Sequence, residues 1–348
     1  MSFIMPVSDI RKIFGKLQEK YNIYAPKRFP KQGRFSDTDV VRYDLIHEWD
    51  EIVFDCKSTY PMKEVLTPIQ ETMFYFTEDE YRESRCNSRP ILVFGRPCDI
   101  NAMEIQAKIY ASNGGFADIY YERMRERVSY ALMDCYGGDD TCFCVSMGSN
   151  RTENYVLAIS RITDEGVSVQ IKDNSLLYFF EGCSESDFTP QFVEKNELIA
   201  NIPEIPNRKV LNKLKNHSMW NDYNGRCISC GACTLACSTC TCFTVRDLHY
   251  SDNDNVGERR RVSASCQIDG FDTVAGGTAY RKKASDRIRF KMLHKFHDYK
   301  ERFGEKHMCV GCGRCTARCP EMISITTTLD KMTKAVEEII VKGENEND

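Results

Sequence analysis

One arrangement of cysteines occurs twice in this chain, and it limits what the chain can become. Cys227-Ile-Ser-Cys230-Gly-Ala-Cys233-Thr-Leu-Ala-Cys237 has the spacing C-x2-C-x2-C-x3-C. Cys309-Val-Gly-Cys312-Gly-Arg-Cys315-Thr-Ala-Arg-Cys319-Pro320 repeats it with a trailing proline. A [4Fe–4S] cube presents four iron corners, and each takes one thiolate. Three cysteines on a tight turn reach three corners of one cube. Gly231 and Gly313 lie inside these turns, where a residue without Cβ is favoured. The fourth cysteine has entered a helix, points away and ligates the other cube. The expected first cluster therefore takes Cys227, Cys230, Cys233 and Cys319, and the second takes Cys237, Cys309, Cys312 and Cys315. Crossed ligation brings the two runs together although 71 residues separate Cys237 from Cys309.

The competing chemistry is zinc. Four-thiolate zinc sites usually show two CxxC pairs with a longer gap, not two complete four-cysteine runs. Ser238 stands where the proline usually follows the fourth cysteine, which removes no ligand. The long insert, with its helix-like segments, points to an α-helical dicluster ferredoxin rather than to a small β-type one.

Ten of the 18 cysteines lie outside these runs. Cys98 follows the strand-like Ile91–Phe94, and Cys135 follows Tyr130–Met133. Cys142 and Cys144 come shortly after. Loops at neighbouring strand ends share one sheet edge, so Cys98, Cys135, Cys142 and Cys144 are candidate ligands of a third [4Fe–4S] cluster. Buried thiols are the alternative, since free cysteine is among the most buried residue types. Cys240, Cys242 and Cys266 could shield a cluster, offer an alternative ligand or form a further site. Cys56, Cys86 and Cys183 are isolated and read as structural.

The remaining patterns organise the chain. Short apolar runs predict strands at Glu51–Phe54, Ile91–Phe94, Tyr130–Met133, Tyr155–Ile159 and Val167–Ile171, the last two forming a hairpin across Ile162–Glu165. Ser8 is a candidate cap for a helix whose apolar face is Ile10, Ile13, Phe14 and Leu17. Further helices are expected over Met103–Tyr110 and Tyr120–Val128. Ile202-Pro-Glu-Ile-Pro206 reads as a linker. Beyond it strand signals nearly vanish, and Leu211–Trp220, Ala284–Phe303 and Thr327–Val341 read as helices. The tail from Gly343 is polar and expected to fray. The expected fold is thus mixed α+β: an N-terminal α/β domain over residues 1–205 with a mixed sheet, then a mostly helical dicluster domain over residues 206–348.

Charge and absent motifs narrow the function. The net charge of −4 argues against nucleic acid. No apolar run approaches the ~18 residues of a membrane span, and the start does not read as a signal peptide. A cytoplasmic location is expected, where so many cysteines imply metal or redox chemistry rather than disulfides. From Arg259 to Lys306 there are thirteen Lys or Arg against six Asp or Glu. This excess could raise a cluster's potential, steer an acidic partner, or be a solvated helical face. No G-x-G-x-x-G, G-x-x-x-x-G-K-[ST] or HExxH occurs. The chain reads as an electron carrier without a bond-making site.

Several segments together resemble one family: Arg96-Pro-Cys-Asp-Ile-Asn-Ala102, Thr141-Cys-Phe-Cys-Val-Ser-Met-Gly148, Ser238-Thr-Cys-Thr-Cys-Phe243, Gly257-Glu-Arg-Arg-Arg261 and His307-Met-Cys-Val-Gly-Cys-Gly-Arg-Cys315. Gly33-Arg-Phe-Ser-Asp-Thr-Asp39 and Ser112-Asn-Gly114 fit as well. The chain resembles the iron–sulfur A subunits of anaerobic sulfite reductases and, more distantly, the β subunits of cytoplasmic sulfhydrogenases. The resemblance implies two partners, a flavin subunit that oxidises NAD(P)H and a sirohaem subunit that reduces sulfite to sulfide. This chain would relay single electrons between them without a catalytic residue of its own. The alternative it implies is the electron-transfer β subunit of a cytoplasmic sulfhydrogenase or hydrogenase. In those relatives the N-terminal cysteines look like cluster ligands, which favours the third cluster.

Overall fold

The structure, a computed structural model, describes all residues but 86, 136, 161–162, 164–165, 251–253, 305 and 346–348. Twelve strands are described: β1 (Ser2–Met5), β2 (Asn22–Phe29), β3 (Val40–Leu45), β4 (Gln70–Phe76), β5 (Tyr81–Glu83), β6 (Ile91–Gly95), β7 (Val128–Met133), β8 (Leu157–Ile159), β9 (Val167–Ile171), β10 (Ser184–Glu185), β11 (Phe243–His249) and β12 (Gly257–Ser263).

The chain divides into two compact units. One comprises residues 1–138, 149–194 and 243–263; the other comprises 139–148, 195–242 and 264–348. This partition differs from a single cut at 205/206, because a β-ribbon from the late sequence belongs to the first unit.

The first unit carries a mixed eight-stranded sheet in the order β10-β1-β9-β8-β7-β6-β2-β3. Its centre is parallel, β2 on β6 on β7 on β8, and antiparallel strands flank it on both sides. The central strands read as near-continuous apolar runs because both faces are covered; β6 is buried throughout. The expected helix runs Val7–Lys20 and buries Ile10, Ile13, Phe14 and Leu17. Its cap position is Pro6, with no side-chain cap, and Ser8 lies inside the first turn. A missing cap costs about 1 kcal/mol, while each buried apolar side chain contributes roughly 1.5–3, so packing decides the helix.

Other expectations shift. Glu51–Phe54 is not a strand: Trp49–Glu51 forms a 3-10 turn, and Ile52 makes an isolated bridge to Lys27. Met103–Tyr110 is the middle of a longer helix, Pro97–Ser112, begun by a proline in its first turn. Val128 opens β7, and the helix before it ends at Arg125. The hairpin is β8 against β9, with residues 161–162 and 164–165 of its turn outside the described set, as are Cys86 and the last three residues of the tail.

A second sheet, β11-β12-β4-β5, is wholly antiparallel. Two of its strands lie beyond residue 206, where few strands were expected. The reason is charge. Arg259 pairs with Asp247 at 2.7 Å, Arg260 with Glu258, and Arg261 with Asp118 at 2.6 Å. Three of the thirteen basic residues therefore sit in a strand, matched to carboxylates, and not on a helical face.

The second unit is helical, with a core of Leu214, Trp220, Tyr223, Met292, Phe296, Leu329 and Met332. The segment expected as one helix over Ala284–Phe303 is an α-helix at Ala284–Leu293, a π-turn at His294–Asp298 and a last α-turn at Tyr299–Phe303. The C-terminal helix extends over Ile325–Asn345.

Candidate metal centre

The two cysteine runs fold into near-identical local structures. Gly231 (φ 77°) and Gly313 (φ 69°) adopt the left-handed conformation and cap the short helices Ala232–Leu235 and Arg314–Ala317. Two residues earlier, Ser229 (φ 56°) and Gly311 (φ 62°) are also left-handed. This turn aims a backbone N–H back at a sulfur: Gly311 N–H donates to Cys309 Sγ at 3.4 Å, and the Ser229 N–H acts on Cys227 in the same way. A Cβ at Gly311 would lie 2.5 Å from the Phe143 carbonyl, and one at Gly313 2.2 Å from the Thr141 carbonyl. The Phe143 N–H also donates to Gly311 O at 2.8 Å. Residues 141–144 are thus fitted directly against the second turn.

The thiols gather in two neighbourhoods. Burial pushes the Cys227 thiol up, and the charges that add to this come from Cys233, Cys319 and Cys230. Burial likewise pushes up Cys309, next to Cys315 and Cys237. Cys315 is pushed up to about 12 by burial, with Cys237, Cys312 and Cys233 as its thiol neighbours. Cys319 from the late run thus sits with the early cysteines, and Cys237 from the early run with the late ones. A cavity lies among Cys227, Cys230, Cys233, Cys315 and Cys319, walled by Ile288, Met292 and Ile323. Cys230 is exposed, so this set has one edge at the surface.

Buried cations face these thiols. Arg287, Lys291 and Lys295 recur at four-residue spacing and are 5%, 3% and 3% exposed. Lys291 Nζ donates to the Cys233 carbonyl at 3.3 Å, and Lys295 Nζ to Thr239 Oγ1 at 2.9 Å. Burial alone would discharge both ammonium groups. The surrounding thiolates more than offset it, and both lysines are held above their ordinary value. Arg287 donates to Ser229 Oγ at 2.8 Å and holds the left-handed turn that its twin builds with glycine. Arg314 is 1% exposed and donates to Ser238 Oγ at 3.2 Å.

The sequence alone did not single out these lysines, Arg287, Arg314 or the Ser238-Thr239 pair. The signal was present as the basic spacing 287, 291, 295, but a charge run reads first as a solvated face.

The other cysteines divide. Cys98 lies in the first turn of Pro97–Ser112, and Cys135 follows β7, its N–H donating to Gln191 O at 3.1 Å. Both belong to the sheet-bearing unit. Cys142 and Cys144 belong to the helical unit and are buried, with Cys142 Sγ 3.8 Å from Cys312 O and Cys144 Sγ 3.5 Å from Asn196 Oδ1. Cys240 is hydrogen-bonded to Cys237, which together with burial pushes its thiol up. Cys242 donates to Cys266, which that bond pulls down to about 5. Cys56 and Cys183 are half-buried and pushed up by burial, as structural thiols are. Among the described residues no group of three or more His, Cys, Asp or Glu is set to hold a single metal ion.

The donor set suits an anionic, many-cornered cofactor: eight thiols, backbone N–H groups aimed at sulfur, and buried ammonium groups. The sequence match agrees, for residues 226–323 fit the family model described as a 4Fe-4S dicluster domain. This stretch is a 4Fe-4S dicluster domain. Beyond it, the whole chain is similar to the sulfhydrogenase 2 subunit beta of Pyrococcus furiosus, at 27% identity over 340 residues, covering 93% of this chain and 96% of that protein. No solved structure matches the chain. The dicluster domain contains all eight cysteines of the doubled motif, and the similarity reaches through the N-terminal sheet as well. No described helix is long and apolar enough to cross a membrane.

Proposed function

We propose that this chain is an electron-transfer subunit that holds two [4Fe–4S] clusters, the first on Cys227, Cys230, Cys233 and Cys319 and the second on Cys237, Cys309, Cys312 and Cys315. The observation that carries this reading is the exchange of fourth cysteines between the two thiol neighbourhoods. Bound there, such a cluster supplies one-electron chemistry. The chain's own residues do the rest. The left-handed turns present N–H groups to sulfur, which stabilises thiolate. Ile288, Met292 and Ile323 give the cavity an apolar wall. Lys291 and Lys295 supply fixed positive charge where thiolates crowd. Crossed ligation sets the two sites side by side, as short-range tunnelling requires.

Two enzymes could use such a relay. The similarity to a sulfhydrogenase β subunit favours the hydrogenase-type reading over the sulfite-reductase one. The sulfite-reductase reading keeps support from the segments around Cys98, Cys142 and Cys240. In either case the chain would receive electrons from or pass them to a flavin subunit that handles NAD(P)H, in the cytoplasm. The other partner would be a nickel-iron subunit or a sirohaem subunit.

The test is metal analysis of the anaerobically isolated native complex. About eight irons and as many labile sulfides in this chain are expected for two clusters. About twelve would add a third cluster, with Cys98, Cys135, Cys142 and Cys144 as the candidates. Iron near zero with zinc in its place would end the reading. Nickel in the complex selects the hydrogenase-type enzyme, and sirohaem the sulfite reductase.

A further inference from the structure

The two halves of the centre are not electrostatically equivalent. After Cys319 the chain continues Pro320-Glu321; after Cys237 it continues Ser238-Thr239. Proline has no N–H and no hydroxyl, and Glu321 is exposed. Ser238 and Thr239 are each 1% exposed, and each hydroxyl touches a sulfur of the second set. Ser238 Oγ lies 3.5 Å from Cys312 Sγ, and Thr239 Oγ1 lies 3.4 Å from Cys237 Sγ.

A cation stands behind each hydroxyl. Arg314 Nη1 donates to Ser238 Oγ at 3.2 Å, and Lys295 Nζ donates to Thr239 Oγ1 at 2.9 Å. Guanidinium and ammonium can only donate. Each hydroxyl therefore accepts from its cation and has its own proton to give, and a thiolate can only accept it. With the sulfurs as cluster thiolates, the chains run from Arg314 to Ser238 to Cys312 and from Lys295 to Thr239 to Cys237. Lys295 and Arg314 are 3% and 1% exposed, and Lys295 has no carboxylate within 4 Å among the described residues. Its charge is left to act on the sulfurs.

We propose that these two cation–hydroxyl–sulfur chains make the site of Cys237, Cys309, Cys312 and Cys315 the higher-potential member of the pair, so that the first electron entering the domain rests there. The inference builds on the ligand reading given above. Adding an electron adds negative charge, and donors and cations at contact distance stabilise that charge, more so in a dry interior than in water. Water at the exposed Cys230 and the buried Lys291, whose Nζ donates to the Cys233 carbonyl, act in the same sense on the first site, but Lys291 reaches a carbonyl there and not a sulfur-bound hydroxyl. The solvated edge lies in high dielectric, whereas the second site has two buried chains that end on sulfur.

The test is an anaerobic redox titration of the full-length iron-loaded protein, followed by electron paramagnetic resonance. Two one-electron steps are expected in the wild type. Lys295→Met should lower the higher step by about tenfold in electron affinity, ~59 mV for a one-electron couple. Ser238→Ala should lower the same step by less. The lower step and the iron content should stay in place. Should Lys295→Met fail to assemble, Ser238→Ala, which removes only a hydroxyl, gives the reading. Two intact steps with neither moved by Ser238→Ala, or with the lower one moved instead, would overturn the inference alone. A wild-type chain with fewer than two steps would overturn the ligand reading and this inference with it.

Discussion

Gly313 shows how little freedom the cysteine turns leave. Its left-handed backbone and the Thr141 carbonyl 2.2 Å from where a Cβ would stand both exclude a side chain. A non-glycine residue in this conformation costs about 1–3 kcal/mol, and the clash adds to it. Gly313→Ala should lower stability by at least that amount and cost the protein the iron of its second cluster, read by denaturant unfolding and iron analysis. Ser229 is the instructive contrast. It takes the same turn as Gly311 but is braced by Arg287. Ser229→Gly relieves the backbone and loses the brace, so the change should stay within ~1 kcal/mol. The cysteines were legible from the sequence because cluster chemistry dictates their spacing locally. The bracing arginine was not, because it approaches from 58 residues away.

At the scale of elements, the π-turn at His294–Asp298 brings Lys295 to the centre. Such turns interrupt a helix at the cost of regular hydrogen bonding and recur at functional sites. Here the turn carries the buried Lys295, whose carbonyl accepts the Met308 N–H at 2.8 Å just before the second cysteine run. His294 is stacked on Phe290, with centroids 5.5 Å apart. Burial, with Lys295 beside it, pushes His294 down to about 4. The unfolded chain takes up this proton near ~6.5. Stability from this group is therefore full above that value, falls as the pH drops toward 4, and then levels off. Thermal unfolding at about pH 7.5 and about pH 5 should show a smaller acid loss in His294→Gln than in the wild type. No sequence signal marked the π-turn, since the apolar spacing around it still reads as one helix. The β11–β12 ribbon escaped for a related reason. Arg259, Arg260 and Arg261 resemble a solvated run until their carboxylate partners, one of them Asp118, are known.

For the molecule as a whole, the mixed sheet was legible as a class but not in its order. Parallel pairing of β2, β6, β7 and β8 joins segments far apart in sequence, and no local residue encodes which neighbours which. The dicluster domain was legible because its cysteine spacing occurs twice. In an assembled enzyme, Cys312→Ser should stop electron delivery to the terminal subunit, while the flavin partner's reduction of an artificial dye continues. Undiminished terminal activity in that variant would argue against a relay through this chain. The central claim is narrower still: the fourth cysteine of each run serves the other run's cluster. Electron paramagnetic resonance of the dithionite-reduced Cys237→Ser variant tests it most directly, compared with Cys309→Ser and Cys227→Ser. The expected result is that Cys237→Ser perturbs the same signal as Cys309→Ser and leaves the one altered by Cys227→Ser untouched. A Cys237→Ser spectrum that matches Cys227→Ser instead would contradict the account.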